Sequence, residues 1–154
     1  MDTLLTGRIP DNWSQPDEGR DLHVVVVYTG AEGTRAALRY AAGLPHAERT
    51  PVRLLVPQVV GYPLPLHQSQ VDLSLLSSRY RSLAAEAGVE VEVEILLCRD
   101  RWEAIQQTLA TPQFVVIGGR RRWWWPTREE RIANRLRAQG HYVAYSDLKR
   151  DSNV

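Results

Sequence analysis

The segment with the densest chemical potential is Gly118 to Glu130, GGRRRWWWPTREE. Two glycines after an apolar run can turn successive backbone N–H groups onto one anion, because glycine tolerates positive φ. Arginines can hold a phosphate or carboxylate through paired donors, and indoles can stack on planar groups or cations. Thr127 and Glu130 match the T-x-x-E capping box, so a helix should open there, and its first N–H groups favour anions. The triplets Arg120–Arg122 and Trp123–Trp125 leave four uses open. The indoles can cover the end of a sheet, or form a protein interface, where Trp and Arg are the most enriched residues. They can also serve an anion or nucleotide site, or single-stranded nucleic acid, which uses the same pair of residue types.

Bulk charge weighs against the last use. The 154-residue chain carries a net charge of only +1, too little to argue for nucleic acid or an anionic membrane. The charge is nonetheless uneven: between Arg120 and Arg137 lie Arg120, Arg121, Arg122, Arg128, Arg131, Arg135 and Arg137, against Glu129 and Glu130 alone. Cys98 is the one cysteine and implies no internal disulfide, hence a reducing compartment. The start lacks the pattern of a signal peptide, and no run reaches membrane-span length, so the cytoplasm is the expected address.

Other residues able to do chemistry read more simply. Asp100 and Glu103 have the spacing of a helix cap and its N3 partner, not of a catalytic pair. His23, His46, His67 and His141 lack metal-ligand spacing to one another or to Cys98, so no metal is expected. There is no G-x-S-x-G elbow and no P-loop.

The elements that must position these residues alternate. Continuous apolar runs at 22–28 and 113–119 read as buried strands, VRLLVPQVV at 52–60 as a second strand, and strict alternation at 89–97 as an edge strand. Residues 141–148 supply a fifth strand, and Pro57 belongs at a strand end or bulge because it donates no ladder bond. Helices are expected at 34–44, about 69–87, after Asp100 and after Thr127. The order βαβαβαβαβ predicts a three-layer α/β/α domain over 22–148 with a five-stranded parallel sheet of order 3-2-1-4-5. Residues 1–21 are expected to form an irregular arm, anchored by Ile9 and Trp13, and 149–154 a polar tail. The switch point falls between strands one and four, where such sheets bind ligands.

Several segments in this order resemble the universal stress protein family. VVVVYTGAEGTRAALRYAAGL resembles its first strand, turn and alanine-rich helix, and RLLVPQVVGYPLP its second strand and proline-rich exit. LLCRDRWEAIQQTLATPQFVVIGG and PTREERIANRLRAQGHYVAYS resemble the remaining strands and helices. The resemblance implies the adenine nucleotide alpha hydrolase-like fold, a nucleotide site and pairing of two copies through the last strand. Carried over, the nucleotide site would use Thr29, Gly30, Val60, Gly118, Gly119, Arg120 and Thr127, and the homodimer Tyr142, Val143 and Tyr145. Trp123, Trp124 and Trp125 are candidate contacts for a second copy or another protein partner.

The chain departs from the ATP-binding pattern at the phosphate loop. Thr29 stands where those members keep an acid, Arg121 or Arg122 where the next glycine belongs, and Pro126 where the later one does. Side chains with a β-carbon resist the positive φ of a phosphate nest, and proline has no N–H to offer. The expectation is a non-enzymatic binding or regulatory module of the stress-response kind, with ATP binding weak or lost. The alternative is slow ATP hydrolysis through Arg120–Arg122 and Thr127. A flavodoxin-like protein taking FMN at TGAEGT is a third reading.

Overall fold

The structure, a computed structural model, describes residues 24–44, 51–62, 72–110, 112–122 and 124–148. The expected arm and tail, with Trp123, His23, His46 and His67, lie outside them. Five strands alternate with four helices: β1 Val24–Val27, α1 Ala31–Ala42, β2 Val52–Val59, α2 Leu73–Glu86, β3 Val91–Cys98, α3 Arg101–Thr108, β4 Phe114–Gly119, α4 Arg128–Ala138 and β5 Tyr142–Asp147. All neighbours pair in parallel in the order β3-β2-β1-β4-β5. The predicted sheet is therefore the observed one.

Its cause is burial on both faces. Val26, Leu54, Val56 and Val116 pack on one side with Leu38 and Ala41 of α1 and Tyr80 and Ala84 of α2. Val25, Val27, Leu55, Val115 and Ile117 pack on the other with Ile105 of α3 and Ile132 and Leu136 of α4. A strand sandwiched this way has no polar face, which is why β1 and β4 read as unbroken apolar runs.

Local chemistry sets the helix ends. Asp72 accepts from Ser74 N and Leu75 N at 3.0 and 3.1 Å, so α2 opens at Leu73, later than the spacing suggested. These bonds hold the Asp72 carboxyl below its ordinary pKa. Asp100 caps α3 by accepting from Glu103 N at 2.8 Å, but Glu103 makes no reciprocal bond and accepts from Gln107 instead. Gly30, at φ 135°, lets α1 begin three residues before the predicted Thr34. Gly140, at φ 92°, ends α4: His141 N and Gly140 N return to Leu136 O and Arg137 O, the paired closure that favours glycine at this position.

Two expectations change at the β2–β3 side. Pro57 lies inside β2, with the ladder to β3 running past it to Val59–Cys98. The ladder to β1 stops after Tyr28 N donates to Leu55 O at 2.8 Å. The next donor on that side would be Pro57, which has none. The strict in-and-out alternation expected for β3 also blurs, with residues 93–97 half-buried on both faces. Part of the reason is that Glu94, expected in water, pairs with Arg53 of the neighbouring strand.

Candidate functional site

The site is built where β1 and β4 end. Gly118 and Gly119 are the last two residues of β4 and pair with Ser146 and Asp147 of β5. They belong to the sheet, not to a loop. Neither has positive φ; among the described residues only Gly30, Gly88 and Gly140 do. Their small size serves packing. A Cβ on Gly118 would fall on the backbone oxygen of Gly33, and one on Gly33 would fall on the oxygen of Gly118. The first turn of α1 thus crosses β4 at backbone contact. Thr29 fastens the crossing: its hydroxyl donates to Gly118 O at 2.7 Å, and its N–H donates to the Thr34 hydroxyl at 3.1 Å. At Gly119 a Cβ would lie 2.6 Å from the Tyr145 hydroxyl and 2.8 Å from Glu129 Cγ.

The capping box that opens α4 is present in both halves. Thr127 N donates to Glu130 Oε2 at 2.8 Å, and Glu130 N donates to Thr127 Oγ1 at 3.3 Å. The helix start therefore meets its own carboxylate. Arg121 Nε lies 3.7 Å from Glu130 Oε1, and its guanidinium stands 5.4 Å from the centre of the Tyr145 ring. Tyr145 donates to Arg120 O at 3.3 Å, and burial pushes its phenol up to about 12. Arg120 faces Glu32 at 3.5 Å, with both side chains well exposed, so the pair adds little stability.

The ends of β1 and β4 and the first turns of α1 and α4 border an open cleft of about 580 Å³. Of the sequence candidates, Thr29, Gly30, Gly118, Gly119, Arg120 and Thr127 meet there; Val60 does not. It is buried at the end of β2, and its carbonyl accepts from Arg99 at 2.8 Å. Arg122, Trp125, Arg128 and Leu148 also reach the cleft, as do two acids, Glu32 and Glu129. Trp124 and Trp125 are 65% and 71% exposed, so neither covers the sheet end.

Val143 and Tyr145, read as contacts for a second copy, point into the core beside α3 and α4, while Tyr142 is exposed. Tyr142 N donates to Gln113 O of the segment entering β4, so by alternation the polar groups of Val143 face the outer edge of β5. Arg137 Nη2 donates to that outward Val143 carbonyl at 3.4 Å, and its Nη1 donates to Asn134 at 3.1 Å. A side chain thus occupies one position of the edge.

The remaining reactive groups, Cys98 and His141, are buried. Cys98 is buried, which pushes its thiol pKa up. His141 is buried, which lowers its pKa, and its Nδ1 accepts from Gln113 N at 3.1 Å. Among the described residues no group of three His, Cys, Asp or Glu gathers as a metal site would, and no helix is long and apolar enough to cross a membrane.

Gly33, Glu32, Glu129 and Arg137 were not anticipated in these roles. Gly33 left no trace, because the helix is expected from Thr34 and Gly33 then falls in an ordinary turn; α1 starts at Ala31 and takes it in.

A doubly wound parallel sheet with its cleft at the switch point defines the class. Within it, the chain has the fold of a universal stress protein. It superimposes on the universal stress protein from Archaeoglobus fulgidus with a TM-score of 0.54 over 80% of this chain and 97% of that one, at 16% identity. A protein from the universal stress protein family from Burkholderia pseudomallei is 15% identical, with a TM-score of 0.47 over 80% and 95% of the two chains. No family model and no curated protein matches the sequence.

Proposed function

We propose that the chain is a diverged universal stress protein, acting in the cytoplasm as a non-enzymatic binding module whose cleft has lost ordinary ATP binding. One observation carries this reading. The two glycines at the phosphate-loop position are strand residues consumed by packing against Gly33, Glu129 and Tyr145. Their backbone cannot also wrap a polyphosphate. At the α4 start the Glu130 carboxylate already takes the Thr127 N–H. Isothermal titration with magnesium and ATP should give no saturable heat up to about 1 mM, where binding free energy is near 4 kcal/mol. Micromolar binding would overturn the reading. Binding joined to slow phosphate release would favour the alternative, in which the arginines serve as the phosphate grip.

The same reading pairs two copies through the outer edge of β5, where strand addition would use the outward backbone of Val143 and Tyr145 and the exposed Tyr142 ring. Arg137 must leave Val143 O for this to happen. Light scattering after size exclusion should therefore show a dimer that tightens in Arg137→Ala. A monomer in both proteins at high concentration would remove the pairing.

A further inference from the structure

Helix α4 separates its charges by side. Glu129 packs over Gly119, and Glu130 holds Thr127 N and faces Arg121. Both acids are turned to the strand end. Arg128, Arg131 and Arg135 are exposed at spacings of three and four residues, which places them on one helical face, about 4.5 and 6 Å apart along the axis. Arg135 lies 5.3 Å from the centre of the Trp102 ring. Among the described residues Arg122, Arg128 and Arg131 have no ion-pair partner. Arg122 and Arg128 border the same cleft as Trp125, and Trp124 and Trp125 are largely exposed. A ladder of cations therefore ends in two indoles.

Such a face does not serve the monomer. Like charges at these spacings repel by a few tenths of a kcal/mol, and exposed indoles forgo the burial that makes tryptophan stabilising. A partner with the opposite pattern relieves both. We propose that the outer face of α4 and the Trp124–Trp125 turn dock an acidic amphipathic helical segment of a partner protein. Glu or Asp side chains at three- and four-residue spacing on that helix match the arginine rungs, and its apolar side chains meet the indoles. Single-stranded nucleic acid offers phosphates and bases to the same residue types. The net charge of only +1 supplies little of the long-range attraction that nucleic acid binding draws on, so the protein partner is the better fit. This inference rests on the binding-module reading and names its partner.

Fluorescence anisotropy with the full chain tests it. The probes are a fluorescein-labelled helical peptide with Glu at the matching spacing and Leu between, its Lys-for-Glu counterpart, and labelled oligo(dT). The Glu peptide should bind, and binding should weaken with salt. It should fall about tenfold in Arg128→Ser/Arg131→Ser and again in Trp124→Ser/Trp125→Ser, with unchanged circular dichroism. No binding of the Glu peptide, equal binding of the Lys peptide, preference for oligo(dT), or variants that bind like the parent would each overturn the proposal. ATP binding with peptide binding intact would sink only the reading of the cleft.

Discussion

Residues 118–119 and 124–125 lie at the same end of the sheet and use space in opposite ways. At Gly118 two backbones touch, and nothing larger than hydrogen fits between them. A few residues later two indoles stand mostly in water. The first region is defined by what it excludes, the second by what it leaves available. The capping box at Thr127 and Glu130 lies beyond both, holding the turn to α4 from one end while β4 holds it from the other. Glycine in a ligand loop and glycine at a helix–strand crossing obey different demands. The first needs positive φ, the second needs no β-carbon, and this chain meets only the second at β4.

Substitution at the crossing is the strongest challenge to that contrast. Gly118→Ala should lower stability by about 3 kcal/mol, roughly 10 °C in the thermal midpoint by circular dichroism. Gly119→Ala should cost about 1–2 kcal/mol, because its neighbours are the side chains of Glu129 and Tyr145, which can shift. Equal, small losses at both positions would mean that the crossing is loose. Thr127→Ala should cost about 1 kcal/mol in urea unfolding by removing the α4 cap. A null result there would show that the turn, not the cap, sets the helix start. The smallest effect belongs to the open region: Trp124→Ser/Trp125→Ser should change stability by less than about 0.5 kcal/mol. A large loss would convert the indoles from a surface into a lid.

The sheet order was legible because its cause is local. Unbroken apolar runs mark strands covered on two faces, and caps and glycines mark helix ends. Positions inside elements were less so. That Pro57 sits within β2 depends on where the pairing with β1 stops, which only the assembled sheet decides. That Val143 and Tyr145 point inward depends on the register of β5. The position of the cleft followed from the topology, and six of its seven nucleotide candidates gather there, while Val60 does not. The role of the glycines was hidden because sequence names the missing β-carbon without saying which neighbour requires its absence. Exposure of the indoles was hidden for a related reason: burial is a property of the neighbours the turn brings near, and composition does not specify them.

The interrupted ladder at Pro57 has a consequence for how the sheet moves. Past Leu55, β2 stays bonded to β3 while its bonds to β1 have ended. At that end β1 has also ended, and the sheet is two ribbons of two strands, β2–β3 and β4–β5, joined through β1 only lower down. Thermal fluctuations can part the ribbons there without breaking a hydrogen bond in either, so local opening starts at this seam and costs less than unfolding the core.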